Sequence, residues 1–333
     1  MAPYEPQIAD YLSRLSPELF GLETIDSIQI VDRCQGSYNL NFHVRLNDRD
    51  FNFRINIDQQ SGLANQIEYE YGVLKFIDGQ DIAPHAFLFD DRCQFFDFGI
   101  MVQEFFKGRY LTLKKEDILL AAALLAKLHL LNPVDQSFVK WNDPLVDTYD
   151  FVKGDISTYA SKKSHNKKLL HLARKTLDFI EPGINRHRKL FRAESLNHTD
   201  VSLDNFIMTA RGLRLIDWEK PRLDDGTYDI CCFISEPAEL WCGKQVLTST
   251  QRDTFIDMYG RKSGKNISLL KDKVTIREPL VSLHWILWGA TKLCDLKDAT
   301  TSPELMDAHE EKIGRYERIA DTILVERILD RMA

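Results

Sequence analysis

Residues 27–57, "SIQIVDRCQGSYNLNFHVRLNDRDFNFRINI", alternate apolar and polar with a two-residue period. Successive side chains of a strand face opposite sides, so this pattern demands half-buried strands and excludes an amphipathic helix over the same stretch. One run ends at Gly36, a second covers Asn39 to Leu46, and a third covers Phe51 to Ile57, with a turn at Asn47-Asp48. Short alternating runs joined by Gly, Asn and Asp predict an antiparallel meander.

The period then changes. "NQIEYEYGVLKFIDG" places Ile67, Tyr71, Leu74 and Ile77 at helical spacing and stops at Gly79. Two further strands are expected around Ala86 to Phe89 and Phe98 to Phe105. From Lys107 onward long helices dominate: Ile118 to Leu131, Lys168 to Ile180, and almost all of Ser249 to Arg331. "FIMTARGLRLID" interrupts them and reads as two short strands turned at Arg211-Gly212. The expected fold class is α+β. A small lobe (1–105) holds an antiparallel sheet and one main helix, a larger, mainly helical lobe (106–333) follows, and a hinge lies near Gln103 to Gly108.

Composition narrows the function. Forty-three Lys and Arg against 50 Asp and Glu give a net charge of -7, which argues against a general nucleic-acid binder. The basic cluster "SKKSHNKKLLHLARK" (Ser161 to Lys175) has helical periodicity and reads as a solvated face. The longest apolar run, "ILLAAALLAKLHLL", is shorter than a membrane span and holds Lys127 and His129, so no membrane partner is expected. The opening "MAPYEPQIADYLSRL" carries acidic residues and no apolar core, so no signal peptide is expected. The six cysteines (34, 93, 231, 232, 242, 294) show neither CxxC nor metal-ligand spacing, which suits free thiols in a reducing cytoplasm.

The chemistry is carried by residues 197–221, "NHTDVSLDNFIMTARGLRLIDWEKP". Phosphoryl transfer from a nucleotide needs a carboxylate to orient or deprotonate the attacking hydroxyl, ligands for magnesium, and a cation on the phosphates. Asp200 and Asn205 lie on one loop, and Asp217 follows the short hairpin, an arrangement expected to bring the three together. Asp200 would face the nucleophile, while Asn205 and Asp217 would bind Mg²⁺ through hard oxygen ligands. HxDxxxxN followed by a hairpin and IDxE is a strong compound signal, although each part alone is weak.

This segment resembles the catalytic region of the aminoglycoside phosphotransferase and choline kinase superfamily, relatives of the protein kinases. "DDGTYDI" (Asp224 to Ile230) is similar to that family's GDPxxDLA stretch. The resemblance implies a protein-kinase-like two-lobed fold with ATP and Mg²⁺ as cofactors. It further implies that "QGSYNLNFHV" is the nucleotide loop, with Gly36 and Asn39 in the matching places. Arg54 takes the strand position where protein kinases put Lys, Glu70 that of its helical partner, and "VQEFFKG", with Gln103 and Phe105, that of the adenine-binding linker. His198 would brace the loop, and Asp229 would be a buried acceptor holding the loop's backbone. Arg in place of Lys at 54 changes the fork geometry. Ser202 stands where the family often has His.

For the acceptor, "VSLHWILWGATKL" puts Trp285 and Trp288 three apart on one helix face. Two such rings read either as core aromatics or as a box for a quaternary ammonium, which Glu236 and Tyr316 could complete. Asp224, Asp225, Glu236 and Glu239 offer carboxylates for a polycationic aminoglycoside instead. The expected function is therefore an ATP-dependent phosphotransferase acting on the hydroxyl of a small molecule, as a cytoplasmic monomer or homodimer. Its rival is a catalytically weak, pseudokinase-like nucleotide-binding protein.

Overall fold

The computed structural model describes residues 4–58, 62–133 and 137–332. The chain divides into two compact units. The first comprises Met1–Gly108 with Arg214–Lys220 and Ser302–Ala308, and the second comprises the remainder. This division differs from a single cut after residue 105: two short segments remote in sequence fold with the first unit.

The first unit holds α1 (Tyr4–Ser13), β1 (Ile28–Gln35), β2 (Asn39–Leu46), β3 (Arg49–Asn56), α2 (Gln66–Phe76), β4 (Ala86–Asp90) and β5 (Ile100–Glu104). The strands form an antiparallel sheet in the order β1-β2-β3-β5-β4. Leu46 pairs with Arg49 across a two-residue turn, and Asn47 there has φ 55°. Asn tolerates this left-handed conformation, which matches the twist of a tight hairpin.

Alternation is realised as expected. Leu40, Phe42, Val44, Phe51, Phe53 and Ile55 face one core with Ile8, Tyr11 and Leu12 of α1. Each such side chain contributes roughly 1.5–3 kcal/mol when removed from water. Arg54, out of phase with these, lies on the other face. The helix α1 has no counterpart in the sequence reading, because only three of its residues are buried and its apolar periodicity is short. Helix α2 starts at Asn65, whose side chain accepts from the Glu68 N–H, and ends before the expected Gly79.

The second unit contains β6 (Arg109–Tyr110), α3 (Lys115–His129), α4 (Pro144–Ser161), α5 (Lys167–His187), β7 (Ser195–Asn197) and β8 (Phe206–Thr209). The return strand β9 (Gly212–Leu215), which passes into the first unit at Arg214, begins at Gly212, whose φ of 106° suits only glycine in this turn. Then come β10 (Arg222–Asp224), α6 (Thr227–Ile234), α7 (Glu236–Cys242), α8 (Ser249–Ser263), α9 (Ile267–Lys297), α10 (Met306–Glu311), whose first three residues belong to the first unit, α11 (Ile313–Ile319) and α12 (Thr322–Met332). Leu280, Leu283, Ile286 and Leu287 of α9 pack with Leu145, Val152, Leu169, Leu177, Val325 and Ile328 in one core. Strand β7 pairs antiparallel with β10, Asn197 opposite Arg222, and so fixes the base from which the His198–Asn205 loop departs. Among the described residues no helix is long and apolar enough to cross a membrane.

Candidate active site

In the first unit one guanidinium gathers three carboxylates. Arg54 Nη1 lies 2.7 Å from Asp217 Oδ1, its Nε 3.4 Å from Glu70 Oε2, and its Nη2 3.5 Å from Glu219 Oε2. Arg54 is 2% exposed, so these carboxylates and not solvent meet its charge. Glu70 is fully buried, and among the described residues neither of its carboxylate oxygens has a hydrogen-bond partner. Burial is the main cause that pushes its carboxyl up, to about 7, against the pull of Arg54. Glu219 also accepts from Asn39 Nδ2 at 2.7 Å, and its backbone carbonyl accepts from Gln66 Nε2. Asn39 Oδ1 in turn accepts from Asn56 at 2.8 Å.

The glycine at the β1–β2 turn permits a close approach. The Gly36 N–H donates to the Asn39 carbonyl at 2.8 Å, and a Cβ on Gly36 would meet that same oxygen at 3.1 Å. Asp217 has φ 67°, a conformation that is costly for a non-glycine residue and is sustained here by the ion pair to Arg54. Gln103 is buried in β5, and Phe105 stacks face to face on His43 at 3.8 Å.

In the second unit the loop after β7 is held by one carboxylate. Asp229 accepts from the His198 N–H and the Thr199 N–H, each at 2.8 Å, and pairs with His129 Nε2 at 3.0 Å. Burial opposes its charge, yet His129 and the loop's donors hold the carboxyl below its ordinary value. Thr199, a β-branched residue, sits at φ 70°. His198 Nδ1 accepts from the Asp200 N–H at 3.3 Å, and Asn205 Nδ2 donates to the Asp200 carbonyl at 2.8 Å. Asp200 and Asn205 thus leave one shaped loop, with His198 and Asp229 as its braces, the structural parts the sequence suggested for both.

Alanine at 229 would orphan two buried N–H groups, each worth about 1–3 kcal/mol. Asp229→Ala is accordingly expected to cost several kcal/mol in chemical denaturation. Asp229→Asn, whose amide oxygen can still accept, should cost less. Equal stabilities for the two variants would contradict this account of the loop.

The aromatic residues of the second unit form a packed cluster. Trp285 and Trp288 rings are 5.8 Å apart and steeply inclined, and Trp288 meets Tyr316 at 5.5 Å. Trp241, which the sequence reading passed over, sits 5.1 Å from Trp288 and 5.3 Å from Tyr316. Tyr316 is fully buried, with its hydroxyl 2.7 Å from His309 Nδ1, while Trp288 is half-buried. Glu236 does not join this cluster as a free carboxylate; it pairs with Arg327 and Arg331 of α12.

The acidic cleft for a polycation is corrected in the same way. Asp224 is bound to Arg277 and Arg222, Asp225 to Lys273, and both are buried. Glu239 is 3% exposed and accepts from the Leu247 N–H at 2.7 Å. Burial pushes the Glu239 carboxyl up to about 8. A folded value above the unfolded one gives stability that is complete below about pH 4.5 and lost as pH rises through about 8. Glu239→Gln is expected to remove that decline, so denaturation curves of variant and wild type should diverge across this window. Parallel curves would show that the carboxyl titrates normally.

The sequence profile of the phosphotransferase enzyme family matches residues 33–271, more than half of the chain. No curated protein matches it. Among solved structures, the fold is similar to that of choline kinase from Cryptosporidium parvum Iowa II, at 17% identity over 91% of each chain with a TM-score of 0.61. Choline kinase LicA from Streptococcus pneumoniae is similar at 17% identity over 97% of each chain, TM-score 0.61. The spectinomycin phosphotransferase APH(9)-Ia, solved with ADP and spectinomycin, is similar at 14% identity over 99% of each chain, TM-score 0.61. At these identities the likeness is one of fold.

Proposed function

The chain belongs to the phosphotransferase enzyme family, and from this premise we infer that it moves the γ-phosphate of ATP to a hydroxyl of a small molecule. The observation that carries this reading is the Asp200 loop, whose backbone is gripped at two successive N–H groups by a buried carboxylate. In this reading Asp200 orients the acceptor hydroxyl and takes its proton. Asn205 and Asp217 supply the hard oxygen donors for Mg²⁺. Arg54 contacts the phosphates and Glu70 holds it in place. Gly36 and Asn39 shape the nucleotide loop, and Gln103 and Phe105 belong to the adenine linker.

The donor set suits a divalent cation. Within the first unit Asp217, Glu219 and Glu70 surround a single guanidinium, so acidic groups outnumber the cation that faces them. Mg²⁺, when bound, would neutralise charge on the transferring phosphates. The acceptor class favoured is a small amino alcohol such as choline, read by the aromatic cluster. An aminoglycoside-like polycation is less favoured, because the carboxylates it requires are committed to internal ion pairs.

ATP consumption with and without Mg²⁺ tests the reading, over a panel of choline, ethanolamine, homoserine, methylthioribose and several aminoglycosides. Mg²⁺-dependent turnover stimulated by one acceptor is expected. Nucleotide binding without transfer to any acceptor would replace this reading with the pseudokinase-like one.

A further inference from the structure

A cation of the protein's own already rests on the aromatic cluster. The Arg315 guanidinium carbon lies 5.3 Å from the centre of the Trp241 ring, and Arg315 Nη1 lies 2.5 Å from Asp204 Oδ2. Asp204 belongs to the single helical turn Leu203–Asn205, between Asp200 and Asn205 in the chain. Cys242, the neighbour of Trp241, lies beside that same turn, on the helix that packs against it. The turn therefore packs against α7 and is tied, through Arg315, to α11 at its side chain. Arg315 also borders the ring that packs on Trp288 and Tyr316.

We propose that Arg315 is a positioning residue: seated on Trp241 and paired with Asp204, it fixes the Leu203–Asn205 turn and so aims Asp200 and Asn205. The proposal rests on the phosphotransferase reading for its kinetic consequence. A guanidinium is suited to this place because its flat face stacks on the indole while its edge donates to the carboxylate. The aromatic cluster is then part of the apparatus that orders the loop as well as a wall for the acceptor.

Arg315→Ala, Arg315→Lys, Asp204→Asn and the Arg315→Ala/Asp204→Asn double variant test this, with ATP hydrolysis to water or the best acceptor as the assay. Loss of the pair is expected to lower kcat about 10-fold, equivalent to about 1.4 kcal/mol of barrier, with KM for MgATP almost unchanged. The double variant should match the single ones, because both break one link. Arg315→Lys keeps a cation over the ring and should recover most of kcat.

A second readout needs no activity. In a Cys34→Ser/Cys93→Ser background, Cys242 is the one thiol among the described residues that is not fully buried. Its modification by an aromatic disulfide reagent should accelerate several-fold in Arg315→Ala. Wild-type kcat and an unchanged thiol rate in Arg315→Ala would overturn the proposal, as would a fall in kcat that Lys does not relieve. An inactive wild type whose Cys242 still responds would sink the phosphotransferase reading and leave the clamp on the turn standing.

Discussion

Replacing Asp200 with alanine is expected to lower turnover about 10²–10⁴-fold, the range lost with a positioned general base, while nucleotide binding is retained. The local geometry separates chemistry from folding at this residue. The bonds that shape the loop use Asp200's backbone: its N–H donates to His198, and its carbonyl accepts from Ser202 N–H at 3.1 Å and Asn205 Nδ2 at 2.8 Å. The backbone bonds survive truncation to alanine. The residues assigned to the metal, Asn205 and Asp217, are also left in place. Titration calorimetry with MgATP should therefore give a near wild-type Kd, and single-turnover transfer should be almost absent. Transfer at the wild-type rate would remove Asp200 from its role; loss of nucleotide binding together with transfer would point to a ligand in place of a base.

Much of this arrangement was legible in the sequence, for reasons that differ by element. The meander of the first unit is written in a two-residue period that only a half-buried strand satisfies, and β2 runs from Asn39 to Leu46 as the alternation requires. The loop residues 198–205 and the hairpin after them are punctuated by polar clusters and by Arg211-Gly212, so their order along the chain was readable. Helix α4 was not found, since Thr148, Tyr149 and Gly154 blur its apolar period. Partner choice was the part least legible. Asp224, Asp225 and Glu239 read as acidic surface, because nothing local announces that Arg277 and Lys273, some 50 residues away, will bury two of them. Glu236 failed likewise: its nearer partner in sequence, Arg327 of α12, lies 91 residues on. Trp241 carried a weak signal, an aromatic five residues after Glu236, and its place in the cluster depends on the packing of α7 against α9 and α11.

The ion pairs behind that failure bear on the loop itself. Arg277 is fully buried on α9, and its Nη2 donates to Asp224 Oδ1 at 2.7 Å and to Thr148 at 2.7 Å, while its Nη1 donates to the Asp225 carbonyl at 3.2 Å. Asp224 ends β10, the partner of β7, and Asp225 caps the approach to α6 by accepting from Thr227. Asp229 rides on that first turn of α6 and grips the His198–Thr199 backbone. A buried pair of this kind contributes little over an apolar replacement of both partners, because desolvation offsets its attraction. Removing one partner is different, since a buried carboxylate is left with only part of its compensation. Arg277→Met is expected to cost about 3–5 kcal/mol, read as a large fall in the denaturation midpoint. Arg277→Lys should cost less, keeping the charge but losing the fork that reaches Thr148 and Asp224 together. Combining Arg277→Met with Asp224→Asn should cost less than the two changes summed, since the second relieves the charge the first exposes. Additive losses, or an Arg277→Met variant within about 1 kcal/mol of wild type, would show that the carboxylate is compensated elsewhere, with Arg222 at 3.1 Å the only other cation recorded beside it among the described residues.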